Sequence, residues 1–351
     1  MNSSKTARCP EKNKTPGLCY AVSRDGVELP VIDITHPAFT CDVTEQELSA
    51  IIEESARNWE AVQKTPPEAV RAFAANSILV RGWVESIGTF MTGMTTYLYR
   101  LGANNLGDAF GPVDRRTAAG IMPLSFRFRL RDVARLLADA LERTIANRPG
   151  RPVHLLNIGG GPSADSLNAL ILLHRERPDA LRGTSVFIHV LDLDADGPCF
   201  GSRALAALRA QGAPLSGVTA HLEAIEYDWK DTSRLRAVLD SIEPGSVMAG
   251  SSEGGLFDYG SDEEIVANLA ALRDGTPADF VMVGSVVRDL GTLDPRLRPS
   301  ARSSARPNIR HLGLEAFRTL AGRAGWVIED VIDSTAHHAV SLCRSGSEPR
   351  P

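Results

Sequence analysis

His154-Leu155-Leu156-Asn157-Ile158-Gly159-Gly160-Gly161-Pro162-Ser163 reads as an apolar strand, a glycine turn and the start of a helix. Glycine lets a backbone turn tightly and approach a ligand closely. The helix that follows offers unpaired N–H groups and the positive end of its dipole. Taken alone, the stretch is also compatible with a bare strand-to-helix turn. As Gly159-x-Gly161-x-x-Ala164 it fits a dinucleotide fingerprint, which wants an acid about 20 residues on. Here the acid closing the next strand is Asp192, 31 residues after Gly161, so the fit to a dinucleotide is partial.

Working outward, the pattern after residue 150 alternates. Strands are expected at Val153 to Ile158, Val186 to Leu191, Val218 to Tyr227, Ser246 to Gly250 and Asp279 to Val287. Between them fall helices at Ser163 to Arg177, Ser202 to Ala210, Thr232 to Ser241 and from the capping pair Ser261-x-x-Glu264 to Arg273. A helix at Leu314 to Ala324 and two strands, Trp326 to Ile332 and His338 to Cys343, close the chain as an antiparallel hairpin. Alternating β and α units predict a doubly wound α/β sheet with ligands at the carboxyl ends of its strands.

Upstream, Arg148-Pro149-Gly150-Arg151-Pro152 is a breaker. Before it the periodicity is helical. Thr44-x-x-Glu47 is a capping box, and Leu48, Ile51, Ile52, Ser55, Trp59 and Val62 then share one helix face. Pro66-Pro67 ends that helix and starts another to about Val80. A third is expected over Val84 to Leu101 and a fourth over Phe126 to Ala146, with Gly102 to Pro123 as a loop. The predicted organisation is a disordered tail (1–17), a helical region (18–149), a ligand-binding α/β domain (150–345) and a second disordered tail (346–351).

The strand ends carry an ordered set of chemistry. The second ends in Asp192-Leu193-Asp194, where a carboxylate can take both hydroxyls of a ribose. The third ends in Glu226-Tyr227-Asp228-Trp229, an acid beside an aromatic, able to bond an adenine amino group and cover its face. The fourth ends in Ser251-Ser252-Glu253-Gly254-Gly255. Over residues 150 to 345 this set resembles the class I S-adenosylmethionine-dependent methyltransferase family, in its Rossmann-like fold. Where that family carries an acid and a third glycine, this chain has Asn157 and Ser163. The resemblance implies S-adenosyl-L-methionine as cofactor, with Asn157, Gly159, Gly160, Gly161 and Ser163 at its methionine end. It implies Asp192 or Asp194 at the ribose, Asp228 and Trp229 at the adenine, and Ser251 and Ser252 close by. A helical N-terminal extension that covers the pocket and aids homodimerisation is common among small-molecule members.

Glu253 is the candidate general base or amine holder, followed by Tyr259 and His311, with Asp258 in the same loop as Tyr259. His337 and His338 are expected to lie away from the ligand edge. The stretch Arg288 to Gly313 holds six arginines and two acids. Arginine forks suit a carboxylate or phosphate, so it reads either as a solvated loop or as a lid over an anionic substrate.

Other classes are disfavoured. The charge is 38 − 43 = −5, against the basic excess of a nucleic-acid binder. No apolar run approaches the roughly 18 residues of a membrane span. The five cysteines are scattered, odd in number and lack any CxxC pair, which fits reduced thiols and a cytoplasmic location. No metal-ligand spacing, Walker loop or nucleophile elbow is present. The expectation is a methyltransferase acting on a small molecule. Alternatives are attack at the cofactor Cγ, giving aminocarboxypropyl transfer or ring closure to azetidine-2-carboxylate with release of methylthioadenosine, and a non-catalytic binding subunit.

Overall fold

The structure is a computed structural model that describes residues 14–39, 41–303 and 306–346. A short hairpin, β1 (Tyr20–Val22) and β2 (Glu28–Pro30), comes first. Six helices follow: α1 (Glu45–Gln63), α2 (Pro67–Ala75), α3 (Ile78–Glu85), α4 (Gly93–Arg100), α5 (Pro112–Ala118) and α6 (Ile121–Asn147). The remainder alternates as β3 (Val153–Ile158), α7 (Ala164–Glu176), β4 (Ser185–Asp192), α8 (Asp196–Leu208), β5 (Thr219–Glu226), α9 (Ser233–Ser241), β6 (Val247–Ser252), α10 (Leu256–Tyr259), α11 (Asp262–Gly275) and β7 (Val281–Val287). It ends with α12 (Arg298–Ala301), α13 (Leu314–Arg323), β8 (Trp326–Asp333) and β9 (His337–Arg344).

The main sheet runs β5-β4-β3-β6-β7-β9-β8. Strands β3 to β7 are parallel, and β9 is antiparallel to both β7 and β8. This is the doubly wound, Rossmann-like sheet expected from the sequence. The central strands are buried on both faces, which is why Val153–Ile158 and Val281–Val287 are nearly continuous apolar runs. Edge strand β5 is instead largely exposed, with only Ala220 and Ile225 buried. One face packs against α6, α7 and α8, and the other against α9, α11 and α13. The winding reverses between β3 and β6, so the crevice of the sheet opens at their carboxyl ends.

Several sequence expectations are corrected. The helix expected from Pro67 to about Val80 breaks after Ala75 and restarts as α3, which runs on to Glu85, and the helix placed over Val84 to Leu101 holds only the end of α3 and then α4. Gly88, at φ 75°, and the segment to Thr92 interrupt it, and Thr92 caps the second piece by accepting from Thr95 N. The Gly102 to Pro123 loop contains α5, and the hairpin β1–β2 was not expected. Helix α8 starts at Asp196, whose N–H is held by Asp194 Oδ1 at 2.9 Å. Helix α6 belongs to the sheet's own layers, packing on α7, β6, β7 and β9. The first tail ends earlier than expected: Lys14 Nζ pairs with Glu28 at 2.8 Å and Thr15 N donates to the Tyr20 hydroxyl. The rest of that tail, 1–13, and the second from 347 onward lie outside the described residues.

His337 and His338 are also relocated. Because β9 is antiparallel, it begins where β7 ends: Val287 faces His337 and Val286 faces His338. The two histidines therefore lie at the carboxyl edge of the sheet, on the ligand side. No helix among the described residues is long and apolar enough to cross a membrane.

Candidate functional site

Strand β3 delivers the chain to the crevice at Ile158, and the glycine turn follows. Gly159 and Gly161 sit at φ 64° and 49°, a region that side chains with a Cβ disfavour. Space forbids a Cβ as well. At Gly161 it would lie 2.7 Å from the Cα of Gly93, and at Gly159 3.1 Å from the Trp229 ring and from the Cα of Gly255. Three backbones and an indole meet over this turn.

The turn is braced from beneath. Asn157 is wholly buried, and its Nδ2 lies 3.0 Å from Ser163 Oγ, 2.7 Å from Asp165 Oδ1 and 3.0 Å from Ser166 Oγ. Ser163 is buried too, at φ 58°. Ser252 Oγ donates to Ile158 O and accepts from Leu256 N, each at 2.9 Å, tying the end of β6 to the end of β3. Asn157, Ser163, Ser251 and Ser252 thus shape the floor without lining the cleft. Gly159, Gly160, Gly161, Asp192, Asp194, Trp229, Glu253 and Tyr259 do line it. Asp228 opens on an adjoining outer pocket, which shares Trp229, Leu193, Phe90 and Tyr259 with the cleft. Including its open mouth, the cleft encloses about 630 Å³ of non-atom space, of which about 50 Å³ admits the centre of a water-sized sphere.

Asp192 is the pivot of this set. Its Oδ2 accepts Gly161 N at 2.7 Å and its Oδ1 accepts Asp194 N at 2.8 Å. Burial pushes its carboxyl upward, against the pull of those N–H donors. Each oxygen keeps a lone pair beyond its backbone partner.

The far wall comes from residues the sequence did not single out. Arg100, the last residue of α4, and Arg129, on α6, are both about 4% exposed and share one carboxylate, Glu253. Arg100 Nη2 bonds Oε2, and Arg129 Nε bonds Oε1. Arg129 also reaches Asp258 Oδ2 at 3.2 Å, stacks 4.5 Å over the Phe126 ring, and places Nη1 3.5 Å from His337 Nε2. Both oxygens of Glu253 are therefore engaged by guanidinium groups. Burial pushes Asp258 up to about 7 despite Arg129 beside it, and burial, reinforced by the Arg129 charge, holds His337 well below the usual histidine range. A signal for both arginines existed. Arg129 falls on the same helix face as Phe126, Leu130, Val133 and Leu137, and Arg100 follows Tyr97 by three residues. A charge on an apolar helix face needs a partner.

Tyr259 accepts a bond from Met91 N at 3.3 Å and meets Phe90 edge-on at 6.4 Å. Burial raises its phenol to about 12. His311 lies outside the cleft lining. Its Nδ1 is 2.8 Å from Arg288 O, so that nitrogen carries the proton and donates, and burial lowers its pKa.

Five of the six arginines in the stretch Arg288 to Gly313 bond the protein itself. Arg288 bonds Ser334 O and Asp333, Arg296 pairs with Asp294 and Glu53, and Arg298 bonds Leu293 O and Gly291 O. Arg306 bonds Ile309 O at 2.6 Å, and Arg310 bonds Gly260 O and Asp262. Asn308 clasps the segment before α4, through its N–H to Thr89 O and its side chain to Gly88 O. Among the described residues no group of three His, Cys, Asp or Glu side chains is placed to hold a metal ion.

No protein-family model and no curated protein matches this sequence. Solved structures do match it. A possible exported protein from Bordetella parapertussis shares the fold. It has a TM-score of 0.56 and 17% identity, over 87% of this chain and 98% of that one. The pyocyanin biosynthetic protein PhzM aligns with a TM-score of 0.42 and 15% identity, over 67% of this chain and 59% of its own. An O-methyltransferase family protein from Burkholderia thailandensis aligns at 0.40 and 12%, over 67% and 63%.

Proposed function

We propose that this protein is an S-adenosylmethionine-dependent transferase acting on a small molecule, most simply a methyltransferase. The observation that carries this reading is the convergence of Gly159–Gly161, Asp192 and Trp229 on one cleft at the switch point of the sheet. The lone pairs left on Asp192 suit vicinal ribose hydroxyls. Leu193, 50% exposed, and Trp229 offer apolar surfaces for a flat base at the cleft mouth.

When bound, the cofactor supplies an electrophilic methyl carbon on a sulfonium. The chain's own part is to bind, align and shield, and alignment alone is worth up to roughly 7–11 kcal/mol of a barrier. Glu253, engaged by Arg100 and Arg129, positions those arginines rather than taking a proton. Tyr259, with its phenol near 12, stays protonated at neutral pH and ties the segment before α4 to the cleft rim. The arrangement favours an acceptor that needs little help to lose its proton.

Calorimetry tests the reading. S-adenosylmethionine should bind the wild type, and Asp192→Ala should weaken binding by about 1–3 kcal/mol, roughly 5- to 150-fold. Absence of binding by the folded wild type would return the chain to a non-catalytic role. In turnover, S-adenosylhomocysteine as by-product supports methyl transfer, and methylthioadenosine would instead mark attack at Cγ.

A further inference from the structure

Two buried guanidinium groups, of which Arg100 lines the cleft, share one fully engaged carboxylate. Every acid that faces Arg100 is already committed. Glu253 gives one oxygen to each arginine. Asp165, the other acid near Arg100, is bonded to Asn157 and Ser251, and burial beside Glu253 pushes its carboxyl upward. Asp258 is turned to Arg129. Arg129 itself repels Arg100. Among the described residues, Arg100 Nη2 has a hydrogen-bond partner, whereas Nε is buried without one. A guanidinium is an obligate donor with five N–H groups and no way to become neutral in a protein. Leaving a buried donor unpaired is costly, so natural structures usually supply a partner.

The position of this unfinished pair is informative. Arg100 lines the same cleft as Gly159, Gly160, Gly161 and Asp192. Its helix begins at Gly93, packed against the Cα of Gly161. A ligand whose ribose meets Asp192 and whose other end lies along the glycine turn would carry that end toward Arg100. The amino-acid end of S-adenosylmethionine has a carboxylate, the group a guanidinium edge matches best.

We propose that Arg100 is the carboxylate seat of the cleft, a specificity residue supplied by α4 that reads the amino-acid end of the cofactor, with Glu253 as its positioning residue. This rests on the cofactor reading above. It makes the N-terminal helices part of the binding site rather than a cover over a finished one. It also assigns Glu253 a task that its two ion pairs already perform: holding Arg100 and Arg129 apart and in register.

The test is calorimetric and needs no acceptor. Wild-type protein and Arg100→Gln are titrated with S-adenosylmethionine and with decarboxylated S-adenosylmethionine, which lacks only the carboxylate. The wild type should bind the intact compound at least tenfold more tightly. Arg100→Gln should bind the two within about twofold of each other. Wild-type protein that binds both equally overturns the carboxylate seat and leaves the cofactor reading standing. Wild-type protein that binds neither overturns the cofactor reading and the seat with it. If Arg100→Gln fails to fold, the wild-type comparison still decides, because an equal affinity for the two compounds is fatal on its own.

Discussion

Glu253→Gln separates a carboxylate that holds the wall together from one that takes a proton. The substitution keeps side-chain volume and one acceptor oxygen. It removes the negative charge and puts an NH₂ where one guanidinium now finds an acceptor. Arg100 and Arg129, each about 4% exposed, would then face each other with Asp258 as the nearest remaining acid. Removing one partner of a buried ion pair costs about 3–5 kcal/mol. Asp258 can offset part of this by ionising more readily, since Glu253 is one of the charges that raises it. A loss of about 3–4 kcal/mol is then expected, a large part of the roughly 5–15 kcal/mol that holds a typical domain. At roughly 2–4 °C per kcal/mol for a large domain, Tm should fall by about 6–16 °C. The pair is buried, so the drop should persist at high salt, where exposed pairs are screened. Thermal and urea unfolding followed by circular dichroism measure it. A Tm within 2 °C of wild type, together with a collapse in turnover, would refute this reasoning and restore Glu253 as the base.

Two further perturbations address the same wall. Asp258 has its pKa raised to about 7 by burial, so between about pH 4 and 7 the folded state binds more protons than the unfolded chain, whose carboxyl titrates near 3.9. Its contribution is therefore fullest below about pH 4, and stability falls by roughly 2–4 kcal/mol as pH rises to 7; Asp258→Asn should flatten that decline, and equal slopes in the two urea-unfolding series would rule the assignment out. Gly93→Ala would place a Cβ 2.6 Å from the Cα of Gly161 and 3.2 Å from Pro162 Cδ, atoms of backbone and ring that yield only if α4 or the turn shifts; we expect a loss of about 1–3 kcal/mol in stability and at least tenfold in ligand affinity, and a variant unchanged in both would show that this contact is soft.

The parallel sheet was legible because its signals are local and repeated. Apolar runs such as Val153 to Ile158 and turn residues at each end fix strand, turn and helix without knowledge of neighbours. The ordered acids Asp192 and Asp228 were legible for the same reason, since each sits a few residues past a strand. What failed was context. The end of α3 and α4 read as one helix because Val84 to Leu101 keeps a helical apolar rhythm through Gly88. Only the clasp of Asn308 on Thr89 and Gly88 shows why the chain leaves the helix there. Asn157 shows the limit of a strand-end reading: at the end of β3 its amide turns down into Ser163, Asp165 and Ser166 and does not line the cleft.

The least legible part was the wall opposite the glycine turn, for a reason that follows from topology. Arg100 lies 153 residues before Glu253, and Arg129 lies 124 before it. Nothing in a strand or helix pattern predicts partners at that distance. His337 was misplaced by the same blindness. At the start of a parallel strand a residue lies at the amino edge, and only the antiparallel pairing of β9 moves it to the ligand edge beside Arg129. The sheet alone therefore yields a cleft with a glycine floor and an acidic corner at Asp192. The N-terminal helices add two buried positive charges, and β6 returns one negative charge to hold them. A site built this way has a preference the strand pattern does not contain, since Arg100, whose buried Nε lacks a partner, is one of the residues lining the cleft.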